Sequence, residues 1–134
     1  MKIFIICSKH FYDRIEPIKE ELESMGYVIT LPNHYDKPYS EDKYRGTSEH
    51  ANWKSELIAH SENVILGVDA VLVLNYSKNG VDNYIGGATF LEMYDAFRLG
   101  KKIYMINDIP SGMLSDEIIG FKPILINGDL SKIK

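Results

Sequence analysis

The sequence has little of what marks several classes of protein. It contains one cysteine, Cys7, in 134 residues, so neither a disulfide framework nor a cysteine-based zinc site can form. We expect Cys7 to be a small buried hydrophobe at a strand end. The four histidines lack the i, i+4 spacing of helical metal ligands. We therefore expect no metal ion and no cofactor.

Basic clusters and long apolar runs are also missing. The formal net charge is −4 at pH 7 and the lysines are scattered, so we expect no nucleic-acid polymer as a partner. The longest apolar runs are strand-sized, far below the ~18 residues of a membrane span. Met1 and Lys2 lead directly into an apolar strand pattern rather than a signal peptide. We expect no membrane partner and a cytoplasmic location.

What the chain does contain is a regular alternation of strand and helix patterns. Its length and 45% hydrophobic content suit one domain over residues 1–134. Strands are predicted at 3–7, 27–31, 69–75, 102–106 and 123–127, and helices at 11–25, 48–64, 89–99 and 114–119. This alternation predicts an α/β fold with a doubly wound, parallel five-stranded sheet of flavodoxin or Rossmann type. The expected strand order is 2-1-3-4-5, with helices on both faces.

A long polar segment, residues 32–47, separates the second strand from the second helix. It is rich in turn residues and carries several tyrosines. Loops of this length in small domains are commonly functional, so we expect it to close over a bound molecule. Ser48 is the expected N-cap of the helix that follows, and Trp53 is expected in the core.

The most informative segment is residues 84–93, which follows the third strand and places two glycines before Glu92. In open α/β sheets, ligands bind in the crevice at the carboxyl ends of the strands. A carboxylate in the first helical turn would be kept ionised by the helix dipole, as a nucleophile requires. Thr89 and Glu92 also match a capping box, in which Glu92 only binds the Thr89 backbone. From spacing alone, the cap is the more common outcome.

Two further candidates lie beside Glu92. Gly86 and Gly87 either supply positive φ angles for a tight turn or let the backbone approach a ribose or phosphate and donate N–H groups to it. Asn75 ends the third strand, where its side chain either forms a turn or binds a base edge or a sugar hydroxyl.

The connection after the first strand contains Ser8, Lys9 and His10. It leads into a helix N-terminus, which suits an anion. Ser8 and Lys9 are therefore candidates for phosphate binding, and His10 for substrate contact. Alternatively, Ser8 caps the helix and Lys9 is solvated.

These segments together resemble the nucleoside 2-deoxyribosyltransferase-like family, which includes the 2′-deoxynucleoside 5′-monophosphate N-hydrolases. The resemblance lies in strand 69–75, residues 86–93, Ala96, and residues 100–104. It implies that Glu92 is the family's nucleophile, attacking the anomeric carbon of the sugar. Asn75 falls where the transferases usually have a substrate-contacting aspartate. The chain departs from the family pattern at Met93 and Tyr94, where a glycine is usual.

The resemblance implies an enzyme that cleaves or transfers at the N-glycosidic bond of a nucleoside, a deoxynucleoside or a 5′-monophosphate. A carboxylate below the anomeric carbon stabilises the oxocarbenium-like state or traps it covalently. The resemblance also implies a small-molecule nucleoside or nucleotide as the partner and a homo-oligomeric assembly. The alternative is a non-catalytic nucleotide-binding or nucleotide-sensing domain that uses the same crevice. A third interpretation is a module whose long loop docks another protein.

Overall fold

The structure, a computed structural model, describes all residues from 1 to 134. It contains five strands and four α-helices that alternate along the chain. The strands are β1 (Lys2–Ile6), β2 (Val28–Thr30), β3 (Ala70–Val73), β4 (Lys102–Met105) and β5 (Ile124–Leu125). The helices are α1 (Ile15–Ser24), α2 (His50–Leu66), α3 (Gly87–Arg98) and α4 (Ser115–Gly120).

The five strands form one parallel sheet in the order β2-β1-β3-β4-β5. This confirms the predicted fold class and strand order. In the two central strands, Ile3 pairs with Ala70 and Ile6 with Val73. Parallel strands share one direction, so their carboxyl ends and the loops that follow meet at one edge of the sheet.

Side chains alternate between the two faces of the sheet and form two separate cores. Ile3 and Ile5 pack with α1 and the C-terminal segment on one face. Phe4 and Ile6 pack with α2, α3 and α4 on the other face. Because β1 is covered on both sides, its apolar run is continuous rather than alternating.

The helix boundaries differ from the predictions in three places. A 3-10 turn, Lys9–Arg14, precedes α1, and Pro17 lies in the first turn of α1, where its missing N–H costs nothing. Ser48 does not cap α2, because the N-cap residue is Glu49 and no side chain caps it. Helix α3 begins at Gly87, two residues before the predicted start.

The long loop 32–47 contains one regular element, a 3-10 turn at Ser40–Lys43. No α-helix of the protein is both long enough and apolar enough to cross a membrane. No group of three or more histidine, cysteine, aspartate or glutamate side chains is arranged to hold a metal ion.

Candidate active site

A cavity of about 250 Å³ opens at the carboxyl edge of the sheet. Its wall is built from the β1–α1 connection, the long loop 32–47, one face of α2 and the first three turns of α3. The volume lies just below the ~300–1,000 Å³ typical of small-molecule sites. The cavity is therefore close in size to a site for one small ligand.

Glu92 lies on the wall of this cavity and is half-buried. The Ser61 hydroxyl on α2 donates a hydrogen bond of 2.9 Å to Glu92 Oε2. Glu92 Oε1 has no hydrogen-bond partner in the protein. Because the structure contains no buried side-chain oxygen without a partner, Oε1 is open to the cavity.

Burial raises the pKa of Glu92 from its ordinary 4.5 to about 7. The hydrogen bond from Ser61 and the charge of Lys54 oppose this rise, whereas the neighbouring Asp95 carboxylate adds to it. The expectation that a helix dipole keeps Glu92 ionised is therefore wrong. Glu92 lies in the second turn of α3, beyond the free N–H groups of the first turn, and desolvation dominates.

The capping box that the spacing of Thr89 and Glu92 offered as an alternative is not formed. The N-cap of α3 is Gly86, and no side chain caps it. Thr89 is the third residue of the helix rather than its N-cap, so Glu92 is too far along the helix to bind the N-cap N–H as a capping glutamate does. The carboxylate of Glu92 is bound by Ser61 instead.

The N-terminus of α3 faces the cavity without a partner. The backbone N–H groups of Gly87, Ala88 and Thr89 donate to no protein atom, and all three residues line the cavity. Such N–H groups bind anions.

The glycines at this N-terminus do not provide positive φ angles. Gly86 has φ −82° and neither glycine is in the left-handed region, so that interpretation of the pair is wrong. A Cβ on Gly86 would lie 3.3 Å from the Tyr84 hydroxyl, whereas a Cβ on Gly87 would meet no atom within 4 Å. Gly86 therefore packs close to the end of the Tyr84 side chain, whereas Gly87 borders open space.

The β1–α1 connection brings Ser8 and Lys9 to the cavity wall but leaves His10 outside it. Ser8 Oγ accepts a 3.4 Å hydrogen bond from the His10 backbone and caps the 3-10 turn. Lys9 Nζ lies 3.4 Å from Asp42 Oδ1 and 4.9 Å from the centre of the Tyr39 ring. The Lys9 ammonium group therefore contacts the long loop rather than water alone.

Asn75 lies at the end of β3, is fully buried and does not line the cavity. Its Nδ2 donates to the Asp108 carbonyl over 2.8 Å, and its Oδ1 accepts from the Asn107 N–H over 3.0 Å. The side chain therefore binds the loop after β4 to the end of β3.

The long loop is held against α2 by ion pairs around Glu41. Glu41 Oε2 lies 2.8 Å from His50 Nε2, and Oε1 lies 3.1 Å from Lys54 Nζ and 3.4 Å from Arg45. Burial raises the pKa of Glu41, but the hydrogen bonds from His50 and Lys54 outweigh it and leave the pKa below its ordinary value. The cavity wall carries three cations and three carboxylates, and is formally neutral.

Trp53 lies between the loop and the cavity rather than in the core. Its ring stacks with those of His34 and Tyr44, with centroid distances of 5.1 and 5.8 Å. The expectation of a core tryptophan is therefore wrong, because the face of α2 that carries Trp53 is covered by the loop and not by the sheet.

Sequence reasoning missed two polar residues that the structure brings to Glu92. Ser61 is 4% exposed and follows Trp53 and Leu57 on one stripe of α2. A serine inside an otherwise apolar i, i+4 stripe was the available signal for it. Asn33, whose Nδ2 lies 2.6 Å from Ser61 Oγ, gave no local signal, since its position depends on how the loop folds back.

Comparison with known proteins supports the fold. The chain is similar to the CMP N-glycosidase BcmB from Clostridium botulinum, with a TM-score of 0.55, 16% sequence identity, and coverage of 95% of this chain and 90% of that one. It is also similar to FerB, a flavoenzyme NAD(P)H:(acceptor) oxidoreductase from Paracoccus denitrificans, with a TM-score of 0.51, 14% identity, and coverage of 93% and 74%. At these identities the likeness establishes the fold alone. No protein-family model and no curated protein matches the chain.

Proposed function

We propose that the protein is an enzyme that cleaves the N-glycosidic bond of a nucleoside or nucleoside 5′-monophosphate, with Glu92 as the nucleophile. The observation that carries this proposal is the geometry of Glu92. One carboxylate oxygen is held by Ser61 and the other is open to a ligand-sized cavity. The sequence resemblance and the fold shared with a CMP N-glycosidase support the same activity.

In the proposed reaction, Glu92 Oε1 attacks C1′ of the sugar. The bond between C1′ and the base nitrogen breaks, its electron pair stays with the nitrogen, and the base leaves after taking up a proton. Water then attacks the glycosyl ester and restores the carboxylate, or a second base attacks it and transfer results. The attacking group must be ionised, so base release should increase with pH and level off above about pH 7, the pKa of Glu92.

A 5′-phosphate would bind at the end of the cavity formed by the N-terminus of α3 and the β1–α1 connection. The free N–H groups of Gly87 and Ala88 supply donors there. Lys9 supplies charge on the same wall, and would exchange its contact with Asp42 for the phosphate.

The competing proposal is a non-catalytic domain that binds a nucleotide in this cavity. It depends on Glu92 being only a helix cap, and the missing capping box removes that support. The two proposals also differ in outcome: a binding domain retains the ligand unchanged, whereas an enzyme releases free base.

The test is incubation with ribo- and deoxyribonucleosides and their 5′-monophosphates, followed by chromatography for free base. We expect at least one substrate to release base, and Glu92→Gln to reduce its turnover by about 10³-fold or more. Glu20→Gln, an exposed glutamate on α1, is the matched control and should retain full activity. Near-normal turnover in Glu92→Gln would overturn the proposal, and binding without base release would favour the competing one.

A further inference from the structure

Three consecutive hydrogen bonds end at Glu92. The Tyr12 hydroxyl donates to the backbone carbonyl of Asn33 over 2.9 Å. The Asn33 side chain donates through Nδ2 to Ser61 Oγ over 2.6 Å, and Ser61 Oγ donates to Glu92 Oε2 over 2.9 Å. These residues belong to four different parts of the chain: the 3-10 turn after β1, the long loop, α2 and α3. We call the Asn33–Ser61–Glu92 part the relay.

When Glu92 is ionised, the donors and acceptors available fix the direction of the relay. An amide nitrogen only donates, so Asn33 Nδ2 occupies an acceptor site on Ser61 Oγ. A serine hydroxyl has a single proton, and that proton is then directed to Glu92. A serine inside a helix commonly donates to the carbonyl four residues earlier, whereas Ser61 donates across to α3. Ser61 is thus committed to Glu92 rather than to its own helix.

The relay also distinguishes the two oxygens of the carboxylate. Oε2 is held by Ser61, and Oε1 is left open to the cavity. A carboxylate that accepts a hydrogen bond at one oxygen cannot rotate freely, so its other oxygen keeps one orientation towards a bound molecule. Alignment of a reacting atom in this way is worth large factors in rate.

We propose that Asn33 and Ser61 are positioning residues that fix the Glu92 carboxylate and make its alignment depend on the long loop lying against α2. This proposal rests on the role proposed above for Glu92. The physical reason is that Asn33 belongs to the loop, which is held to α2 by Glu41 and its partners. When the loop moves away, Ser61 loses its donor and its hydroxyl is free to turn from Glu92.

The relay can be tested through the titration of Glu92, because its other electrostatic neighbours can be left unchanged. The groups that face Glu92 are Asp95 on α3, Lys54 on α2, Cys7 at the end of β1, and Tyr12. Substitutions at Ser61 and Asn33 alter none of their charges. A change in the Glu92 titration would therefore report the relay itself.

The first experiment is a carbon-13 NMR titration of the Glu92 carboxyl carbon, identified by its absence in Glu92→Gln. We expect Ser61→Ala to raise the pKa of Glu92 by about one unit, the value of a hydrogen bond to a charged group. Asn33→Ala should raise it by a smaller amount, since it only weakens the donor. Ser61→Thr, which keeps the hydroxyl, and Ser55→Ala, an exposed serine on the same helix, should leave it unchanged.

The second experiment measures base release with whichever of the nucleosides and 5′-monophosphates tested above reacts fastest. Ser61→Ala should lower kcat about tenfold or more with little change in KM. It should also move the acidic limb of the pH–rate profile to higher pH. Ser61→Thr should restore the native kcat and the native pH profile. An unchanged Glu92 pKa in Ser61→Ala would overturn the relay, and an unchanged pKa in Asn33→Ala would overturn its dependence on the loop. The titration needs no turnover, so absence of base release would contradict the proposed function and not the relay.

Discussion

As the pH rises from 4.5 to about 7, replacing Glu92 by glutamine should increasingly favour the folded state, compared with the native sequence. Burial raises the pKa of this carboxyl to about 7 in the folded protein, against 4.5 when it is exposed. Well below pH 4.5 both the folded and the unfolded state carry the proton, so the titration of Glu92 does not change the free energy of unfolding. Between pH 4.5 and 7 the folded state keeps a proton that the unfolded state releases. The free energy of unfolding of the native protein therefore decreases as the pH rises from 4.5 to about 7. In Glu92→Gln this decrease is absent, because glutamine does not titrate.

The size of the effect follows from the two pKa values. At 1.36 kcal/mol for each pKa unit, the interval from 4.5 to about 7 corresponds to about 3 kcal/mol. Glu92 is half-buried and its free oxygen reaches the cavity, so water screens part of this energy. We expect the stability difference between Glu92→Gln and the native protein to increase by about 2 kcal/mol between pH 4.5 and pH 8.

The assay is urea unfolding followed by far-ultraviolet circular dichroism at several pH values from 4.5 to 8. Other titrating groups are common to both proteins and cancel in the difference. Glu20→Gln serves as the control, because its carboxylate is exposed, and its stability difference should stay flat. A flat or falling difference for Glu92→Gln would refute the argument that Glu92 is held in a desolvating site.

Two further predictions concern the rest of the cavity. Replacing Ser8 and Lys9 together by alanine should weaken binding of a 5′-monophosphate, measured by calorimetry, about tenfold more than binding of the nucleoside. Lys132→Ala, an exposed charge change elsewhere, should affect neither, and equal losses for both ligands would indicate general damage. The long loop should close over the ligand, so amides 33–46 should exchange more slowly with a nonhydrolysable nucleotide analogue bound. Unchanged exchange would leave the loop as a surface connection.

The sheet was predictable because its signals are local. The central strands β1 and β3 are continuous apolar runs, and each is followed by a polar connection and a helical pattern. The segment 84–93 was assigned to the carboxyl edge for the same reason. The relay was not predictable, since Asn33 reaches Ser61 only through the folding of a polar loop across α2.

The surroundings of Glu92 show a second limit of local patterns. Thr89 and Glu92 have the spacing of a capping box, but α3 begins two residues earlier, with Gly86 as its N-cap. Thr89 is then buried in the helix, and Glu92 turns towards α2. Burial is the main cause of its raised pKa, and Ser61 and Lys54 on α2 oppose that rise. Neither the burial nor these contacts with another helix is encoded in the adjacent residues.

The central claim, that Glu92 is a nucleophile, is tested most directly by trapping the glycosyl ester. A reaction with the fastest of the tested substrates is quenched rapidly in acid and the protein is digested. The masses of the peptides are then measured by mass spectrometry. The proposed mechanism predicts that the peptide containing Glu92 gains the mass of the sugar, or of the sugar phosphate, in the native protein and not in Glu92→Gln. Base release with the label on another residue, or with no labelled peptide at any time of quenching, would contradict it.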